Sequence, residues 1–261
     1  MGKVIDIHVH IGTSSSLSVA GGAKTAIDLM DKNGVDCGVA FPMVGFEDPN
    51  GVADMVSIND QSVSCVREYP ERFPVALGEV EPRYGKACLD EVDRVFGELK
   101  LRGLMFHNDF CGVPSDAPIM FDIIQRASKY PNPVIMLHSA QHSMLEAPFM
   151  HISLAMEFPE ITFVILHPMM SAIQLRASIQ QAKLCPNIYF DTCMTSNHLF
   201  LVEEAVQRIG ANRIMFGSDN PYYQKGEFCY DKYVIENARI SEADRERIFC
   251  ENARELFGIK I

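Results

Sequence analysis

The sequence is short of positive charge: 23 Lys and Arg stand against 34 Asp and Glu in 261 residues, a formal net charge of −11. An acidic chain without a Lys- or Arg-rich run is poorly suited to phosphate backbones or anionic lipid, so neither nucleic acid nor membrane is an expected partner. A small-molecule substrate, even an anionic one, remains compatible, because one local pocket can oppose the overall sign. No apolar run approaches the roughly 18–20 residues that a membrane span needs. There is no basic start followed by an apolar stretch and a small-residue cleavage site, so the expected location is cytoplasmic. C-x-x-C pairs are missing too. The eight cysteines (Cys37, Cys65, Cys88, Cys111, Cys185, Cys193, Cys229 and Cys250) are scattered, and they read as reduced, mostly buried thiols rather than disulfides or a zinc ribbon. Neither G-x-G-x-x-G nor G-x-x-x-x-G-K-[ST] follows a strand, which removes the usual nucleotide loops. Repeats, low-complexity stretches and linker-like composition shifts are absent, so one domain over 1–261 is expected.

What is there is an ordinary globular balance, 48% apolar and 22% charged, with a repeating pattern. Short β-branched runs alternate with amphipathic windows. The strand candidates are Val4–Val9, Asp36–Pro42, Phe73–Val80, Gly103–His107, Pro133–His138, Thr162–His167, Asn187–Asp191 and Arg213–Gly217. Between them lie helical windows such as Thr25–Asn33, Ile58–Glu68, Leu89–Lys100, Ile119–Tyr130 and Leu199–Ile209. Runs such as Val134-Ile-Met-Leu and Phe163-Val-Ile-Leu are apolar throughout, as strands buried on both faces of a parallel sheet must be. Eight strand–helix units in roughly 250 residues is the arithmetic of an α/β fold closed as a (β/α)8 TIM barrel. A doubly wound open sheet is the competitor.

The first strand carries Asp6-Ile7-His8-Val9-His10. Alternation predicts Asp6, His8 and His10 on one face and Ile5, Ile7 and Val9 on the other. His138 and His167 each end an apolar strand at the same relative place, and Asp219 follows the eighth strand in Gly217-Ser-Asp-Asn-Pro221. Singly, each has a bland explanation: a chance H-x-H, a satisfied core histidine, an Asx turn. Together they converge on the carboxyl rim of the barrel, where barrel enzymes place their sites. Three imidazole nitrogens and one carboxylate suit a borderline divalent ion such as zinc, with room for water; manganese, iron or cobalt could use the same ligands.

The order H-x-H, His, His, Asp resembles the amidohydrolase superfamily. Asp6-x-His8-x-His10, His167-Pro168 and Gly217-Ser218-Asp219-x-Pro221 resemble its amidohydrolase-2 branch, relatives of aminocarboxymuconate-semialdehyde decarboxylase. The ending Glu251-Asn-Ala-Arg-Glu-Leu-Phe257 is similar to that branch's usual ending, so the likeness runs from residue 6 to about residue 257. The resemblance implies that His8, His10, His138 and Asp219 bind one metal ion and that His167 is a catalytic acid/base beside it. Two-metal members of the superfamily bridge their ions with a carboxylated Lys or a Glu after strand four. Here that place reads Gly103-Leu-Met-Phe-His107-Asn, so a single ion is expected, with His107 as a substrate contact. The branch's usual His-Gly-Gly after strand six is His167-Pro168-Met169-Met170 here, a greasier wall. Relatives often pair through the barrel, which leaves room for a homodimer.

Water on a zinc ion has its pKa lowered to near 7, which supplies a nucleophile at neutral pH. Asp219 would take the proton as hydroxide attacks a carbonyl, and the ion or His167 would stabilise the oxyanion. The first expectation is therefore a metal-dependent hydrolase of a small ester, lactone or amide, with His167 and Asp219 catalytic. The alternative is a non-oxidative carboxy-lyase of an aromatic or unsaturated acid using the same five residues. A hydratase and a non-catalytic metal-binding barrel complete the range. Phe41, Met43, Phe46, Met169, Tyr222 and Tyr223 follow strands and either line the pocket or pack beneath the loops. A decarboxylase needs a cation for the departing carboxylate; Arg83 is the foremost candidate, followed by Lys24 and Lys225, although surface solvation explains all three. Glu79 and Glu81 receive no role, and His142 and His151 read as structural.

Overall fold

The computed structural model describes residues 2–14, 19–43, 50–195, 198–222 and 228–261. Among the described residues nine strands are formed: β1 (Ile5–Ser14), β2 (Val19–Gly21), β3 (Cys37–Pro42), β4 (Val75–Ala76), β5 (Gly103–Phe106), β6 (Val134–Leu137), β7 (Thr162–Ile165), β8 (Ile188–Asp191) and β9 (Ile214–Met215). All pairings are parallel except β1–β2, a short antiparallel addition beyond the expected eight. Two arcs, β2-β1-β3-β4 and β5-β6-β7-β8-β9, are joined at both seams. At one seam Gly78 N–H donates to Gly103 O (2.9 Å) and Met105 N–H to Gly78 O (2.9 Å). At the other, Ile7 N–H donates to Phe216 O (2.9 Å) and His10 N–H to Asn220 O (2.8 Å). The ring is thereby closed as a (β/α)8 TIM barrel.

The apolar runs split by parity into two packed layers. Ile5, Ile7, Val39, Phe41, Met105, Met136, Val164 and Met215 fill the interior. Leu104, Phe106, Ile135, Leu137, Phe163 and Phe190 face outward against helical residues such as Met30, Ile123 and Ile179. Burying a side chain of this size is worth roughly 1.5–3 kcal/mol, and the continuous runs exist because both faces of each strand are dry. The amino-terminal mouth is plugged by the helix Asn252–Phe257, whose Ala253 and Phe257 join the interior cluster. Asn252 Nδ2 fixes that plug by donating to Ala211 O (2.6 Å) and Ile214 O (2.7 Å). No helix among the described residues is long and apolar enough to cross a membrane.

The first strand departs from simple alternation. Its pairing with β3 runs Asp6↔Gly38 and then Val9↔Ala40, so Ile7 and His8 together oppose Val39. This bulge places Ile5 and Ile7 inside with His8 and His10, while Val9 joins the outer layer. The expectation that Asp6 shares a face with the two histidines is thus corrected. One extra residue shifts parity, and it re-aims His8 into the barrel. Asp6 instead clips the first strand to the last, accepting from Ser218 N (3.0 Å), Ser218 Oγ (2.5 Å) and His8 N (3.0 Å).

Candidate metal centre

Five of the sequence-derived residues meet at the carboxyl rim. His8 and His10 come from β1, His138 from the end of β6, His167 from beyond β7 and Asp219 from beyond β9. Ring centroids lie 5.2 Å apart for His8–His10, 5.2 Å for His8–His167 and 4.5 Å for His138–His167. His167 and Asp219 reach the cluster through left-handed backbone, φ 56° and 58°, which non-glycine residues adopt at a cost of about 1–3 kcal/mol. Gly217 makes the approach of the last strand feasible: a Cβ there would lie 2.9 Å from His8 Cβ and 3.1 Å from Asp191 Cβ.

The hydrogen bonds fix which nitrogens face inward. His8 Nδ1–H donates to Asp191 Oδ2 (2.6 Å) and His10 Nδ1–H to Pro42 O (3.0 Å). Their Nε2 atoms then converge on the same oxygen, Asp219 Oδ1, at 3.1 and 3.0 Å. Two imidazole lone pairs and a carboxylate cannot face one another without a cation between them. The same convergence shows in the electrostatics of His8. Burial disfavours its charge, but Asp219 and Asp191 outweigh burial and raise its pKa to about 10. Asp219 is likewise held well below the usual carboxylate range; burial opposes this, and His8 and His10 prevail. The donor set fits a divalent ion on the chemistry of its atoms: histidine nitrogens and a carboxylate oxygen aimed at one spot.

Burial leaves His167 neutral, its pKa well below the ordinary value, and among the described residues its Nδ1 has no hydrogen-bond partner. Its backbone N–H donates to Asp191 Oδ1 (2.9 Å), so Asp191 braces His8 with one oxygen and His167 with the other. Burial also lowers the pKa of His10 and His138, keeping both imidazoles neutral.

On the opposite side, His107 stacks on His138 with centroids 3.6 Å apart, and Phe110 stacks on the other face of His107, also at 3.6 Å. Glu146, fully buried, receives His138 Nδ1–H on Oε1 (2.5 Å) and the Asp109 N–H on Oε2 (3.1 Å). His107 Nδ1 lies 3.2 Å from the same Oε2. Burial disfavours the Glu146 charge, yet the two imidazoles hold its pKa well below the carboxylate range. Cys193, two residues beyond β8, is fully buried, and burial together with Asp219 and Asp191 pushes its thiol well above the usual value.

The remaining candidates divide. Tyr222 sits edge-on to His10 at 4.8 Å, and Phe41 supports His10 (4.6 Å) and His8 (5.1 Å) from within the barrel. Met43 is buried, and Met169 belongs to the outer layer, so the expected Met169 wall is corrected: the left-handed turn at His167 sends the next residues toward the helices. Arg83 is not brought into the imidazole cluster; among the described residues its guanidinium pairs with Glu81 at 2.8 Å. Lys24 is exposed on the helix Ala23–Lys32. His142 is exposed and His151 is buried on the helix Pro148–Glu157, both outside the cluster. Phe46, Tyr223 and Lys225 lie outside the described residues. Sequence reasoning missed Glu146, Asp191 and Cys193. Asp191 did leave a signal, a carboxylate ending an apolar strand as His138 and His167 end theirs; Glu146 left none.

A family model described as amidohydrolase matches residues 5–259. The chain belongs to the amidohydrolase family. Among solved structures it is similar to 2,6-dihydroxybenzoate decarboxylase from Rhizobium, with 18% identity, 99% of each chain covered and a TM-score of 0.73. It is also similar to 5-carboxyvanillate decarboxylase from Novosphingobium aromaticivorans with bound manganese, at 13% identity, 98% and 97% coverage and a TM-score of 0.77. A third is 4-oxalomesaconate hydratase from Rhodopseudomonas palustris, at 17% identity, 98% and 95% coverage and a TM-score of 0.71. No curated protein matches this amidohydrolase-family chain.

Proposed function

We propose that the protein is a metal-dependent carboxy-lyase that releases CO2 from a small hydroxylated aromatic or unsaturated acid without an oxidant. The supporting observation is that its fold matches decarboxylases of such acids over nearly the whole of both chains. The sequence had put hydrolysis of an ester, lactone or amide first. Hydrolysis remains the second reading, favoured by the amidohydrolase family model.

His8, His10, His138 and Asp219 would hold one divalent ion, with zinc and manganese both suited to nitrogen and carboxylate donors. When bound, such an ion polarises carboxylate or carbonyl oxygens and lowers the pKa of water toward neutrality. His167, neutral and with its Nδ1 unpartnered among the described residues, takes up a proton that comes from solvent and delivers it to the carbon that bears the carboxylate. The bond between that carbon and the carboxylate then breaks. CO2 departs, and the bonding pair restores the ring. Asp191 keeps His167 and His8 in register, so proton delivery occurs from a fixed direction. His107, stacked on His138 at the partly open side, is placed to orient a substrate oxygen. Tyr222 stands edge-on beside His10, and Phe41 packs beneath it.

The test compares CO2 release from hydroxybenzoate-like and muconate-like acids with lactone opening, using metal-loaded and metal-free protein. CO2 without ring opening supports the carboxy-lyase. Ring opening without CO2 overturns it in favour of hydrolysis, and neither activity above metal-free protein leaves a binding barrel.

A further inference from the structure

The donors around the centre are not limited to nitrogen and oxygen. Asp191 ends β8 and turns inward to His8. Two residues on, in the turn just past the end of β8, stands Cys193. Its side chain is fully buried, and Sγ belongs to a group with one ligand-capable atom each from His8, His167 and Asp219, all within 4.8 Å of one another. His167 in the same group is 2% exposed, and its Nδ1 lacks a hydrogen-bond partner among the described residues. All eight cysteines are buried, but among the described residues Cys193 alone belongs to such a group.

We propose that Cys193 supplies a sulfur ligand to the ion at this centre and thereby sharpens its preference for zinc or cobalt over manganese. The proposal rests on the metal-centre reading above and deepens it. Ligation breaks the Sγ–H bond heterolytically: the proton leaves to solvent and the electron pair forms the sulfur–metal bond, with no change of oxidation state. Ions of the zinc and cobalt type accept thiolate readily, whereas manganese is better served by oxygen donors. The imidazoles of His8, His10 and His138 already favour zinc and cobalt over manganese, and one sulfur among the ligands widens that preference.

The experiment loads the full chain with one cobalt ion and records its absorption for the unchanged protein, C193S and C193A. The expected result is a sulfur-to-cobalt charge-transfer band in the near ultraviolet for the unchanged protein. It should vanish in both variants while the weaker visible cobalt bands persist. In competition experiments C193A should lose zinc-over-manganese preference by about tenfold or more. Visible cobalt bands without the near-ultraviolet band in the unchanged protein would overturn sulfur ligation and leave the metal centre standing. A band that survives in either variant also overturns it. Failure to retain cobalt at all would overturn both readings. Should a variant not fold, the spectrum of the unchanged protein decides.

Discussion

Glu146 Oε1 lies 2.5 Å from Nδ1 of His138, inside a pocket that leaves the carboxylate no contact with solvent. The bond fixes the His138 tautomer, so that its Nε2 lone pair is the one available to a metal. Removing a carboxylate that orients a liganding histidine typically lowers metal affinity about 10- to 100-fold. Glu146→Ala should show a loss of that size, and Glu146→Gln, which keeps one acceptor, a smaller one. The check is competition for the ion against a calibrated chelator, with circular dichroism to confirm folding. Unchanged affinity in Glu146→Ala would remove Glu146 from the site.

His138 and His167 are neighbours, their ring centroids 4.5 Å apart, for which separable roles are proposed. His138→Ala is expected to lose the ion. His167→Ala should retain it while turnover falls roughly 100- to 10,000-fold, the usual contribution of a positioned acid or base. Elemental analysis and turnover on the same preparations distinguish the two. Equal metal loss in both variants would make His167 a ligand, and two ions per chain would refute the single-ion reading.

Gly217 admits no side chain. A methyl group there meets His8 Cβ at 2.9 Å and Asp191 Cβ at 3.1 Å, both on strands locked into the ring. Overpacking of this kind costs roughly 1–3 kcal/mol. At this chain size each kcal/mol lowers the melting temperature by roughly 2–4 °C. Gly217→Ala should therefore melt lower and bind metal more weakly, because the displaced residues are His8 and its brace. Calorimetry and metal titration read the two effects, and a variant altered in neither would contradict the close approach.

Burial raises the Asp231 carboxyl from 3.8 to about 7, although the Thr195 N–H and hydroxyl both donate to it at 3.0 Å and pull the other way. Between these values the folded protein keeps a proton that the unfolded chain has released. The stability this group contributes is whole below pH 3.8 and is lost as pH rises through about 7. Asp231→Asn keeps an acceptor for Thr195 and cannot ionise. Its stability relative to the unchanged protein should increase with pH across that window, as urea unfolding at about pH 5 and about pH 8 would reveal. The same stability difference at both pH values would argue against a buried, proton-holding Asp231.

Much of this was legible because burial writes itself into composition. Strands dry on both faces must be apolar throughout, so all eight barrel strands could be placed from their runs. Their polar ends, His138, His167 and Asp219, then marked the rim. The H-x-H of the first strand pointed to the right residues through an incomplete geometry. A bulge changes parity by one residue without altering composition, so the position of Asp6 could not be read. Left-handed backbone at His167 and Asp219 is similarly silent, and it displaced Met169 from the expected wall. Glu146 lies in the connection after β6, where a single carboxylate looks like any solvated residue; only the fold brings it onto His138. Arg83 illustrates the converse, since its partner Glu81, two residues away, was in plain view.

Asp219 arrives on the strand that shuts the ring, 209 residues after His10 at the other side of that seam. A chain still emerging from the ribosome carries every imidazole of the cluster before it carries the carboxylate on which Nε2 of His8 and His10 converge. The proposed ligand set would therefore be complete only when the two extremities of the barrel meet. The centre doubles as a record of completion: a molecule cut ahead of Gly217 keeps most of its donors and forfeits the one that gives them a common target.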